Sequence, residues 1–169
     1  MRMLFLLLFF PGAVFAGMPH GLHFASVDGG EIALDDLRGQ PILVVNTASR
    51  CAFTGQYDDL QALADRYRDL VVLAVPSGDF RQELASGAEV AEFCAMNFDL
   101  TIPMTDITAV TGTSAHPLYA WLRRDHGFTP TWNFNKVLIA PDGELDATWG
   151  PAVSPRSPEI IRRIEALLP

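Results

Sequence analysis

Residues 41–57 read PILVVNTASRCAFTGQY. The run from Ile42 to Val45 shows no polar alternation, as expected of a strand covered on both faces, and it passes directly into the cysteine-bearing stretch SRCAFTGQY at 49–57. Beyond it the period changes. Tyr57, Leu60, Leu63, Ala64 and Tyr67 recur at three and four residues, Asp58 and Asp59 fall in a first turn, and Thr54 is placed to cap a helix. A buried strand thus delivers Cys51 to the start of a helix.

Outward from this junction, Leu70 to Val75 is a second continuous apolar strand. Ser86 followed by Glu89 has capping-box spacing and predicts a helix with Val90, Phe93 and Cys94 on one face, so Cys94 turns inward. A third helix is expected from Pro117 to about Arg124. KVLIA and ELDATW flank PDG, with Asp142 and Gly143 as a hairpin turn. A last helix opens at Ser157 and Pro158 and buries Ile160, Ile161, Ile164, Leu167 and Leu168. Strand, helix, strand, helix, hairpin and closing helix predict an α/β, thioredoxin-like fold: a mixed central sheet flanked by helices.

The chain has 169 residues, 49% of them apolar, enough for one good core and too few to suggest two. No internal repeat or long linker divides it. Its first sixteen residues, MRMLFLLLFFPGAVFA, place Arg2 before an apolar stretch from Leu4 to Phe10 and end in Val14, Phe15 and Ala16, a small-x-small cleavage signal. This reads as a secretory signal peptide over 1–16, cut after Ala16. A membrane anchor is the competing reading, but a span needs about twenty apolar residues and Pro11 and Gly12 interrupt this one. The mature domain, 17–169, is then secreted or periplasmic and not stably inserted in a membrane. Loss of Arg2 takes the formal charge from −8 to −9, and no run of Lys or Arg could follow a phosphate backbone. Nucleic acid is not an expected partner.

Only Cys51 and Cys94 carry thiols. A helix N-terminus and the neighbouring Arg50 both favour a thiolate at Cys51, whereas a buried cysteine with no such setting is a small hydrophobe. Activation alone does not make a fast enzyme. Lowering a thiol pKa from about 8.5 to about 6 raises the thiolate fraction at pH 7 roughly thirty-fold, but nucleophilicity falls roughly thirteen-fold for a Brønsted slope of about 0.45. The net gain is about two-fold. The remainder of the rate must come from hydrogen-bond donors around the sulfur that do not quench it as acids. Gln82 in FRQE and the pair Trp132 and Asn133 in TWNFNK are such uncharged donors. His20, His23, His116 and His126 have no metal-site spacing, HGLH reads as a mobile tail, and no Cys-x-x-Cys is present.

Four segments in order, VVNTASRCAFTGQYDDLQAL, VLAVPSGDFRQE, AEVAEFC with TIPM, and AHPLYAWL followed by WNFNKVLIAPDG, resemble the glutathione peroxidase family in its cysteine form. The resemblance runs from about Phe24 to the closing helix. It implies Cys51 as the peroxidatic thiol, with Gln82, Trp132 and Asn133 completing a catalytic tetrad. It implies Cys94 as a resolving cysteine of the kind found in thioredoxin-dependent members. A hydroperoxide substrate and a thioredoxin-like protein or glutathione as reductant follow, with no metal, flavin or nucleotide. A segment that some members use for subunit assembly is missing before TWNF, which implies a monomer. The chain departs from the family at Thr47, Ala52 and Gly55, commonly Val, Gly and Pro, and PSGDFRQE is one residue shorter than usual. Two other readings of the same residues are an exported non-catalytic thioredoxin-like binding domain with a structural Cys51–Cys94 disulfide, and a peroxide sensor.

Overall fold

The computed structural model describes residues 17–169, so the leader assigned to 1–16 lies outside the described residues. The order of elements is β1 (His23–Ala25), β2 (Glu31–Ala33), β3 (Ile42–Thr47), α1 (Gln56–Arg66), β4 (Val71–Pro76), α2 (Gly87–Phe98), α3 (Pro117–His126), β5 (Lys136–Ile139), β6 (Leu145–Trp149) and α4 (Pro158–Leu167). The main sheet runs β4-β3-β5-β6. β3 pairs parallel with β4, Val44 opposite Leu73, and antiparallel with β5, Val44 opposite Val137.

The register explains the unbroken apolar run in β3. Leu43 and Val45 face a cluster built with Tyr57, Leu60 and Leu63 of α1, Val90 and Cys94 of α2, and Ile160 and Ile164 of α4. Ile42 and Val44 face the opposite cluster, with Phe24 of β1 and Leu118 and Trp121 of α3. Both faces are covered, so the run carries no polar alternation. The mixed sheet with helices on both sides is the fold expected from the sequence. Among the described residues no helix is long and apolar enough to cross a membrane.

The N-terminal segment differs from the expected mobile tail. Met18, Leu22 and Phe24 are buried, and β1 pairs with β2. Arg38 donates to the carbonyls of Met18 and Pro19 and to Asp35, which also accepts from Gly21 N. Arg38 and the Gly21 amide hold the Asp35 carboxyl down to about 2. The His116 ring stacks on Phe24 at 3.7 Å and pairs with the His23 carbonyl. Single strands of three residues carry too little periodicity to be read, and it is these long-range bonds that order them.

Two local expectations also change. Gly55, not Thr54, is the N-cap of α1, because the Thr54 hydroxyl is spent on the turn before it. Tyr67 is the C-cap rather than the last turn of the apolar stripe, and its hydroxyl donates to Glu165 of α4. The cap on α2 forms as expected: Ser86 Oγ accepts from Glu89 N, and Glu89 reaches back to Ala85 N.

Lys136 of β5 is fully buried on the side of Val45 and Leu138. Its ammonium donates to Pro151 O at 3.2 Å. Burial pulls its pKa down from 10.5 to about 8, opposed by the Asp59 carboxylate. Between those two values the unfolded chain holds a proton that the native chain has released, so on this account stability rises with pH through that window. Relative to Lys136→Met, the parent should gain on the order of 2 kcal/mol from pH 8 to 10.5. Denaturant unfolding across that range checks it, and identical pH profiles for the two proteins would exclude the assignment.

Candidate active site

β3 ends at Thr47, and the chain turns through Ala48 to Gly55 before α1 begins at Gln56. Thr54 organises this turn. Its Oγ1 accepts from Cys51 N at 3.0 Å and lies 2.9 Å from Ala48 O and 2.7 Å from Cys51 O, so its single proton serves one of the two carbonyls. Cys51 therefore stands about a turn ahead of the helix rather than at its first residue. The helix field falls off over that distance, and the donor at hand is the Phe53 amide, 3.5 Å from Cys51 Sγ. The residue is 8% exposed.

The turn is bonded to the loop after β4. Arg50 N donates to Gln82 O at 2.8 Å, and Ser49 N donates to Glu83 Oε1 at 3.0 Å. Gln82 in turn accepts from Asn133 Nδ2 at 3.0 Å, so its own amide nitrogen is the donor end left over. Asn133 is fully buried, while Trp132 beside it is 40% exposed, its ring 5.5 Å from that of Phe80. Two of the four sequence-derived site residues, Gln82 and Asn133, thus meet directly. Cys51 and Trp132 are carried on the chain segments next to them.

Asn46 was not singled out in the sequence, yet it holds the Trp132 loop in place. Its Nδ2 donates to Trp132 O at 2.9 Å, its Oδ1 accepts from Asn135 N at 3.1 Å, and its carbonyl accepts from Phe134 N. Phe134 sits at φ 63, a left-handed conformation that a bulky residue adopts only under tertiary constraint. The available signal was the change from four apolar residues to Asn46 and Thr47 within one buried strand.

Glu83 was missed as well. Its Oε1 is shared by the amides of Ser49 and Leu84, and its Oε2 is buried without a hydrogen-bond partner. Thr47 Oγ1, Ser49 Oγ and Tyr57 Oη are three further buried oxygens without a partner of hydrogen-bonding geometry. They belong to one neighbourhood: the Tyr57 hydroxyl faces Thr47, Cys94 and Glu83, and Glu83 faces Ser49 and Arg50. Burial raises the Glu83 carboxyl above its ordinary value. The Cys94 thiol is pushed up to about 11, first by burial, with the Glu83 charge adding and Tyr57 opposing. Cys51 and Cys94 are both free thiols, and both line the cluster beneath α1 and α2. Among the described residues, no group of three or more His, Cys, Asp or Glu is placed to hold a metal ion.

A buried thiol, two amides joined by a hydrogen bond and an exposed indole can supply a nucleophile and neutral donors for a departing oxygen. A family profile described as glutathione peroxidase matches residues 20–123. Glutathione peroxidase 7 of Bos taurus is 41% identical over 149 residues, covering 85% of this chain and 78% of its own. Hydroperoxy fatty acid reductase gpx1 of Synechocystis sp. is 35% identical over 162 residues, covering 88% and 95%. The crystal structure of Trgpx in its apo form superposes with a TM-score of 0.67 at 31% identity, over 91% of this chain and 99% of that one. The thioredoxin-like fold, the profile and these relatives agree: the protein is a peroxidase, an oxidoreductase that pairs a hydroperoxide with a thiol reductant, and it belongs to the glutathione peroxidase family.

Proposed function

We propose that the protein is an exported thiol peroxidase that uses Cys51 to reduce hydrogen peroxide or an organic hydroperoxide. The hydrogen bond from Asn133 to Gln82, made beside the Cys51 turn, is the observation that carries this reading. The Cys51 thiolate attacks one peroxide oxygen. The O–O bond breaks with its electron pair on the other oxygen, which takes a proton and leaves as water or an alcohol, and Cys51 becomes a sulfenic acid. Gln82, Trp132 and Asn133 donate to the developing charge. Cys94 then condenses with the sulfenic acid, and a thioredoxin-like protein or glutathione reduces the disulfide through a mixed disulfide. The name of the Synechocystis relative makes fatty acid hydroperoxides the organic class to try first. No metal, flavin or nucleotide enters the cycle, and the working unit is a monomer.

On this reading α2 moves as the bridge forms. A disulfide needs Cα atoms within about 7 Å, and Cys94 begins on the inner face of a helix. Of the twelve residues in α2, only Val90 and Cys94 are buried, so local opening forfeits little packing. A cleft lined by Val27, Ala95, Leu100, Ile102 and Met104 lies beside the helix and leaves it room.

Peroxide-dependent turnover of the chain from Gly17, with a thioredoxin system compared against glutathione, tests the assignment. Cys51→Ser should abolish activity, because a serine hydroxyl forms no alkoxide near neutral pH. Cys94→Ser should still react once with peroxide, accumulate a trappable sulfenic acid and lose thioredoxin-dependent turnover. If it cycles as fast as the parent, Cys94 is only a core residue.

The donors have their own test. Loss of one preorganised donor costs about 10² to 10³ in rate. Trp132→Phe and Asn133→Ala should each slow Cys51 oxidation by a factor of that order in stopped-flow measurements, and rates within about two-fold of the parent would remove these residues from the site. Export is tested separately by N-terminal sequencing of the secreted protein, which should read Gly17 first.

A further inference from the structure

In the cycle above, the first step has its donors, but the second lacks a base. Cys94 must lose a proton before it attacks, and the hydroxyl on Cys51 must gain one before it leaves. At neutral pH almost none of a thiol held near 11 is ionised, so the resting enzyme holds no useful Cys94 thiolate.

The geometry points to Glu83 as the group that accepts the Cys94 proton and passes it to the hydroxyl departing from Cys51. The inference rests on Cys94 being the resolving thiol. Glu83 Oε1 is fixed by the amides of Ser49 and Leu84, so the carboxylate is anchored to the segment that bears Cys51 and to the lead-in of α2. Its Oε2 is buried without a partner of good hydrogen-bonding geometry, with the Ser49 hydroxyl, itself unpartnered, facing the carboxylate. Around it stand Arg50 of the Cys51 segment, Tyr57 of α1 and Cys94 of α2. Ser86, only three residues on, caps α2, so when that helix opens Glu83 stays bound at the root of the moving element and to the segment that bears Cys51.

The step balances as a condensation. Cys94 S–H gives its proton to Glu83, and its sulfur electron pair attacks the Cys51 sulfur. The S–O bond breaks with its pair on oxygen, which takes the proton back from Glu83 and leaves as water, forming the Cys51–Cys94 bond. No outside oxidant or base is consumed. The resting position of Glu83 also protects the thiol, since a carboxylate facing Cys94 keeps it protonated until the sulfenic acid exists.

Glu83→Gln keeps an Oε1 acceptor for both amides and removes the base. Single-turnover mixing with peroxide separates the two steps: intrinsic fluorescence follows Cys51 oxidation, and quenched mass spectrometry follows the Cys51–Cys94 bridge. In Glu83→Gln, bridge formation should slow by about a hundred-fold at pH 7 and climb about ten-fold per pH unit until the Cys94 thiol of the opened helix ionises, because only the Cys94 thiolate then reacts. In the parent the same step should be nearly flat from about pH 6 to 9 and fall in acid as the carboxyl is protonated. Equal slowing of both steps would reduce Glu83 to a prop for the Cys51 turn and overturn the inference. A parent bridge rate that climbs ten-fold per pH unit would overturn it without any variant. Absence of the bridge in the parent would instead defeat the resolving role of Cys94, a different failure with a different reading.

Discussion

Asn46 occupies the point on which the site turns. It sits near the end of the central strand, buried, where a polar side chain is tolerated only if every hydrogen-bonding end is used. Its amide and carbonyl hold Trp132 O, Asn135 N and Phe134 N at once, which fastens a loop remote in sequence to the strand that leads to Cys51. That attachment is what fixes Asn133 where Gln82 can receive it. Within the stretch Asn135 Nδ2 also donates to Trp132 O, so the clamp and this internal bond together hold Phe134 in its left-handed conformation beside the fully buried Asn133.

The stitching is made mostly by backbone and amide groups, with the Glu83 carboxylate as its one charged member, and among the described residues no cation bonds the Cys51 sulfur. A cation against Cys51 would stabilise the thiolate in the ground state and blunt its nucleophilicity, whereas neutral dipoles aimed at the departing oxygen act where charge develops. Formal charge is kept to the margins. Arg50 is exposed, Lys136 is buried against Pro151 with the Asp59 charge acting on it, and Glu83 faces Tyr57 and Cys94. The two thiols thus live in different electrostatic surroundings, one among amides and one facing a carboxylate.

Stability and mobility are partitioned along the same line. α1 and α4 bury their apolar stripes against the sheet, and Tyr57 packs its ring against Phe98 and Phe134. α2 is held by its Ser86 cap, by buried Val90 and Cys94, and by Phe93 and Phe98 packed at the edge of the same cluster. Cys94 is carried on a helix that buries only two of its twelve residues, while Cys51 is locked in the turn that Thr54 ties.

Local pattern was enough for the frame: two unbroken apolar strands, the capping box at Ser86 and Glu89, the PDG hairpin and the inward turn of Cys94 all follow from periods of two and 3.6 residues and from turn chemistry that neighbours dictate. Ordered motifs named Cys51, Gln82, Trp132 and Asn133, but their spacing of up to 82 positions says nothing about who touches whom. The Gln82–Asn133 bond, the Asn46 clamp, the docking of the N-terminal hairpin through Arg38, and Thr54 as a turn clasp instead of a helix cap are contacts between segments far apart in sequence or competing uses of one hydroxyl. A hydroxyl or amide can bond to any of several partners with similar energy, so the winner is set by which partner the packed sheet and helices bring within 3 Å, and that distance exists only once the chain has folded.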